Sequence, residues 1–151
     1  MVTIHTHAET TVPADRVVAA LTDFTDHRFA LFGNLDRRHF QVHQAGDTWA
    51  EVTEGASFAG GIWERSRYDW SKPGVVRLDL VDSNAFAPGS YWEYGIHPDS
   101  HGHTAVDLTV HRIPRTLKAR LLVTLLTLFG KRVFRTDLAK TLQTIASTTP
   151  A

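Results

Sequence analysis

Residues 114–147 read PRTLKARLLVTLLTLFGKRVFRTDLAKTLQTIAS, and the period of this stretch decides the fold. From Pro114 onward apolar residues recur every three or four positions, which is helical spacing. At about 100° per residue, Leu117, Leu121, Leu122, Leu125, Leu126, Leu128 and Phe129 fill one half of the helical wheel. Phe134, Leu138, Leu142 and Ile145 fall on roughly the opposite side. The phase changes at Gly130, so the reading is a long closing helix, kinked or broken near Gly130 into two segments.

A helix this apolar needs a partner surface, and the chain before it supplies one. From Arg38 to Arg112 the period is two, punctuated by turn signals at Gly46-Asp47, Gly60-Gly61, Lys72-Pro73-Gly74, Pro88-Gly89 and Asp99 to Gly102. Strand-like runs occupy 38–44, 49–57, 62–70, 75–81, 90–97 and 104–112. Their connections are too short for parallel crossovers, so they form an antiparallel meander. Residues 2–10 also alternate and add a seventh strand. Pro13 then opens a helix with Val17, Val18, Leu21 and Phe24 on one face, and Asp26 caps a second over 27–32 that Gly33 ends. Residues 148–151 are expected to fray. The expected class is α+β: a curved seven-stranded antiparallel sheet, two short helices after the first strand, and a long C-terminal helix.

Composition narrows the function classes. With 151 residues, 42% hydrophobic and 21% charged, the chain has the make-up of one soluble domain spanning 1–151. Sixteen basic and sixteen acidic residues balance, so net charge selects no nucleic-acid partner, and none is expected. The distribution is uneven: residues 112–140 hold eight basic residues against Asp137, a balance of +7, which leaves −7 on the rest. Absence of Cys removes disulfides, thiolate nucleophiles and Cys-ligated metals. The start has no secretory pattern, and the longest apolar run, Leu121 to Phe129, falls far short of the ~20 residues that span a bilayer; a cytoplasmic protein is expected.

Two segments add a resemblance. Val12-Pro13-Ala14-Asp15-Arg16-Val17-Val18-Ala19-Ala20-Leu21-Thr22-Asp23-Phe24 and Trp63-Glu64-Arg65-Ser66-Arg67-Tyr68-Asp69-Trp70, with the closing helix around Gly130-Lys131-Arg132, resemble the helix-grip fold of the START and birch-pollen-allergen superfamily, SRPBCC. Within it the chain is similar to the polyketide cyclase/dehydrase and lipid-transport group. The resemblance implies a cavity for an apolar small molecule between sheet and closing helix. It implies no particular reaction, because some members are cyclases, dehydratases or hydrolases and others only bind or carry.

Strand alternation assigns side chains to that cavity. Arg65, Arg67 and Asp69 belong outside, which turns Ile62, Glu64, Ser66, Tyr68 and Trp70 inward. The same rule points Phe40, Val42 and Gln44, then Ala50, Val52, Glu54 and Ala56, Val76, Leu78 and Leu80, Trp92, Tyr94 and Ile96, and Val106, Leu108 and Val110 inward. Expected ligand contacts are Phe40, Glu54, Ser66, Trp70, Leu78, Trp92 and Tyr94 from the sheet and Leu122, Leu126 and Phe129 from the helix. Glu64 and Tyr68 are the candidate acid–base pair, since an unpaired buried carboxylate takes up a proton and a phenol can hydrogen-bond it.

Three readings stand: a binder or carrier of a polyketide-, fatty acyl- or isoprenoid-like molecule, a cyclase or dehydratase using Glu64 and Tyr68, and a non-catalytic module acting through the basic helix. Nine histidines include His5-x-His7 and His101-x-His103, but His5, His7, His39, His43 and His111 fall on the outward face. No metal and no cofactor is expected. Arg115 to Arg135 joins a broad apolar face to six cations and no acid, which suits an anionic membrane surface. It suits equally leucines packed inward over the cavity while the cations reach water, and the half before Gly130 could open as a lid.

Overall fold

A computed structural model describes residues 1–57 and 60–148; of the expected frayed end, 149–151 lie outside the described residues. Seven strands follow the turn signals: β1 Val2–Thr10, β2 Gln41–Ala45, β3 Trp49–Ala56, β4 Ile62–Asp69, β5 Val75–Ser83, β6 Tyr91–Pro98 and β7 Thr104–Arg112. They lie in the order β1-β7-β6-β5-β4-β3-β2, every pair antiparallel, so β2 to β7 meander and β1 closes on the last of them. Helices α1 (Ala14–Leu21) and α2 (His27–Leu31) carry the chain from one edge of the sheet to the other. The closing helix α3 runs from Leu117 to Ser147, its first turn capped by the Thr116 hydroxyl, which accepts from the Ala119 N–H at 3.1 Å.

Two expectations need correction. The strand expected at 38–44 starts only at Gln41, because the Asp36 carboxylate accepts from the Arg38 N–H at 2.9 Å and winds Arg37–His39 into a 3₁₀ turn. β2 is also an edge strand with a bulge between Val42 and Gln44, and both of those side chains are exposed rather than inward.

The second correction concerns the closing helix, which is one uninterrupted segment through Gly130. Its buried residues keep a constant phase along the whole length: Ala119, Val123, Gly130, Leu138, Thr141, Leu142 and Ile145. In the first half this stripe is made of small residues, whereas Leu117, Leu121, Leu125, Leu128 and Phe129, expected inward, are exposed. The apparent change of phase is thus a change in residue size along one buried face. Gly130 is there for proximity: a Cβ at this position would lie 2.4 Å from Ile4 Cδ1 on β1. α3 packs chiefly along β1, at one edge of the sheet, and leaves the concave face of the central strands partly uncovered.

That contact is testable. An interior helical glycine ordinarily forfeits about 1 kcal/mol against alanine. Gly130→Ala should nevertheless lower the unfolding midpoint, because the added methyl meets Ile4. In an Ile4→Val background, which lacks Cδ1, the same change should raise stability by about 1 kcal/mol. Urea unfolding of the four proteins measures both effects.

Candidate functional site

Between α3 and the uncovered sheet lies a cavity of about 560 Å³. Its walls are mostly apolar: Leu78, Trp92 and Tyr94 from the sheet, Phe86 from the loop before β6, and Leu122, Leu126 and Phe134 from α3. Leu125, Phe129 and Val133 also line it yet are 48, 60 and 45% exposed, which places the mouth beside the first half of α3. Among the expected contacts, Glu54, Ser66, Leu78, Trp92, Tyr94, Leu122, Leu126 and Phe129 border the cavity together with Glu64 and Tyr68. Phe40 and Trp70 do not; they pack against the main core, Phe40 edge-on to Phe29 and Trp70 beside Phe24.

The polar floor is built on a cross-strand pair. Glu54 on β3 and Glu64 on β4 sit directly opposite each other in the ladder, and both face the cavity. Like charges in that register repel, so each needs its own counter-charge. Arg28 supplies the first. It reaches in from α2, is only 2% exposed, and donates through Nε to Glu54, through Nη2 to the Tyr68 hydroxyl at 2.7 Å, and through Nη1 to the carbonyls of Leu21 and Asp23 at 3.0 and 3.2 Å. The rings of Phe24 and Phe32 hold the guanidinium at 4.7 and 4.9 Å from their centroids. Tyr68 in turn donates to the other oxygen of Glu54. Burial works to release the Arg28 proton, but the partners Tyr68 and Glu54 outweigh it and hold the cation firmly.

Arg112, the last residue of β7, supplies the second. Its Nη2 contacts Glu64, and Phe86 lies 4.1 Å from the guanidinium carbon. Arg112 is 5% exposed, burial pulls it below its ordinary value, and Nη1 is buried with no hydrogen-bond partner among the described residues.

The acid–base pair read from the sequence is therefore divided: Tyr68 serves Glu54, and Glu64 serves Arg112. Residues 64 and 68 are four apart on one strand, roughly 13 Å along it, which separates them however they turn. Both arginines escaped the sequence reading. Arg112 carried a usable signal, because it continues the inward series Val106, Leu108, Val110 by one more step of two. Arg28 carried a weaker one, an aromatic residue four positions to either side.

Elsewhere the outward face of the sheet is occupied by local pairs, His7 Nδ1 with Asp107 at 2.7 Å and His111 Nδ1 with Thr3 at 2.7 Å. Among the described residues no three His, Cys, Asp or Glu side chains converge as metal ligands, and no helix is long and apolar enough to cross a membrane.

No family model and no curated protein matches the sequence. Solved structures do match its shape. The Zhui aromatase/cyclase from Streptomyces sp. R1128 aligns with a TM-score of 0.77 at 15% identity, over 96% of this chain and 93% of its own. A START superfamily protein from Mycobacterium smegmatis aligns at 0.64 and 9% identity, over 95% and 91%. The chain has the START helix-grip fold. Norcoclaurine synthase from Thalictrum flavum, in complex with dopamine and hydroxybenzaldehyde, aligns at 0.66 and 9% identity over 99% and 89% of the two chains. At these identities the likeness concerns the helix grip itself, and the chemistry of this cavity has to be read from its own side chains.

The buried phenols give the helix grip a pH limit. Burial raises Tyr68 well above the ordinary tyrosine value and pushes Tyr94 up to about 12. In the fold both keep protons that the unfolded chain releases near pH 10, so stability is complete below about pH 10 and drains away as pH climbs towards the folded values. Absorbance at the tyrosinate band should show these two phenols ionising together with loss of the far-UV signal. A Tyr68→Phe/Tyr94→Phe protein should lose stability less steeply over the same range.

Proposed function

We propose that the protein binds or carries an apolar small molecule, polyketide-, fatty acyl- or isoprenoid-like, in the cavity between sheet and α3, in the cytoplasm. The supporting observation is the cavity itself: about 560 Å³, walled by Trp92, Phe134 and leucines, with a few fixed polar groups on its floor. The same arrangement speaks for carriage over turnover. Arg28, Glu54 and Tyr68 satisfy one another, and a phenol raised by burial is a poor base near neutrality.

Native mass spectrometry of the purified protein, followed by solvent extraction, should release an apolar compound bound one per chain. With the emptied protein, N-phenyl-1-naphthylamine should gain fluorescence on binding. Leu126→Trp, which fills the cavity from the helix side, should weaken that binding at least about tenfold, a loss of about 1.4 kcal/mol. Binding unchanged by Leu126→Trp would place the dye elsewhere and sink the reading.

The mouth also supports contact with an anionic membrane through Arg115 to Arg135. Leu117, Leu121 and Leu128 are 81, 65 and 70% exposed beside it. Lys118, Arg120, Lys131, Arg132 and Arg135 form no ion pair among the described residues, so their charge is not consumed in clamping helix to sheet. Each such cation contributes about 1 kcal/mol near an anionic surface. Sedimentation should show binding to phosphatidylcholine vesicles containing phosphatidylglycerol and little to phosphatidylcholine alone, with Leu128→Glu weakening it; equal binding to both vesicles would remove the electrostatic argument.

A further inference from the structure

Between Thr22 and Trp49 one residue alone is buried, and it is a cation, Arg28. Phe24, Leu31, Phe32 and Phe40 are only half-buried where they pack against the main core. A stretch with so little apolar anchorage belongs to the part of a fold that opens most readily. Arg28 supplies what the apolar contacts lack. All of its side-chain hydrogen bonds leave residues 25–34: to the carbonyls of Leu21 and Asp23 at the end of α1, to Glu54 on β3 and to the Tyr68 hydroxyl on β4. Thr25 and His27 bond to Asp23, and Asp26 to Arg37, so among the described residues no other side chain of 25–34 forms a hydrogen bond or ion pair with the sheet.

The far end of this stretch is arranged for movement. Beyond it the chain is fixed to β3, where Leu35 bridges to Ala56 and the Asp36 N–H donates to the Gly55 carbonyl at 2.8 Å. Just before that anchor lies Gly33, which is exposed, has a φ outside the left-handed region, and has nothing within 4 Å of where a Cβ would stand. The closed structure therefore does not require glycine at 33, and what glycine adds there is backbone freedom. The stretch also borders the cavity. Arg28, Phe32 and Asn34 line it, Asn34 is exposed as Leu125, Phe129 and Val133 are, and α2 touches α3. Residues 25–34 thus form a second rim of the mouth, beside the one that α3 supplies.

We propose that residues 25–34 are a flap on the cavity, hinged at Gly33 and latched through Arg28 to Glu54 and Tyr68, and that its opening sets the rate at which an apolar ligand enters and leaves. This rests on the cavity being the binding site, and it adds the regulation of that site. Hydrogen bonds from one guanidinium are directional and break together, so the flap has two states, engaged and free. Phe24 and Phe32 flank the guanidinium and shield those bonds from water while the flap is down. Glu54 and Tyr68, fixed on neighbouring strands, stay in place to recapture Arg28.

Hydrogen exchange on the ligand-free protein tests the flap without any ligand. The bonded amides of Arg28, Phe29 and Phe32 should exchange through one shared opening, well ahead of the amides of β6 and β7. Glu54→Gln, which removes the charge facing Arg28, should speed these three about tenfold and leave β6 and β7 as in the wild type. Stopped-flow entry and exit of N-phenyl-1-naphthylamine give the second measurement. Gly33→Ala, outside the cavity lining, should slow both rates by about two- to fivefold and leave Kd unchanged, because alanine narrows the open ensemble at the hinge. Exchange of the three amides only together with β6 and β7, a Glu54→Gln effect spread evenly over the chain, or dye rates indifferent to Gly33→Ala would each overturn the flap. Failure of the dye to bind, with hydrogen exchange as expected, would instead overturn the cavity reading beneath it.

Discussion

The approach of α3 to β1 at Gly130 governs the layout of this protein. A helix normally meets a sheet at a distance set by its larger side chains; here the absence of one lets the helix sit down on Ile4 at the sheet's edge. Three consequences follow from that one contact. The helix covers β1 well and the central strands poorly, so a cavity remains between them. The second half of the helix still reaches the main core through Leu138, Leu142 and Ile145. The first half presents small residues towards β1, lends Leu122 and Leu126 to the cavity wall, and leaves Leu125 and Phe129 at the mouth.

What occupies the floor of the cavity is as informative as its size. Two buried ion pairs are an uneconomical way to hold a sheet together, since well-packed apolar residues commonly do as well or better. Their presence in an otherwise apolar hollow gives it an orientation. In one pair all three nitrogens of Arg28 are engaged, while in the other Arg112 meets Glu64 between the rings of Phe86 and Trp92.

Much of this was legible in the sequence, and the failures have physical causes. Period two with glycine and proline turns located seven strands, because each strand has one face on the core and one in water. Thr104–Arg112 was placed to the residue, and the inward faces of β3 to β7 follow alternation. β2 was misread because an edge strand has only one neighbour to enforce its register, and the side-chain bond of Asp36 took its first residues. On the closing helix, hydrophobicity was the wrong guide: the inward face is marked by Ala119, Val123 and Gly130, whose smallness is what lets the helix approach. The inward carboxylates were found, but their partners were not, since periodicity reports which way a side chain points and not what arrives from 26 or 48 residues away.

Those separations bear on the order in which the protein assembles. β3 and β4 are joined by a short connection and would ordinarily be among the first elements to pair. Here their pairing sets Glu54 against Glu64, with Arg28 and Arg112 arriving from helix and strand elsewhere in the chain. Within that hairpin the Glu54–Glu64 contact is unfavourable at neutral pH while it stands alone, and it is relieved only when the two arginines arrive. A local contact has been made conditional on global ones: two neighbouring strands can set these carboxylates side by side at low cost only in a chain whose distant arginines are already in place.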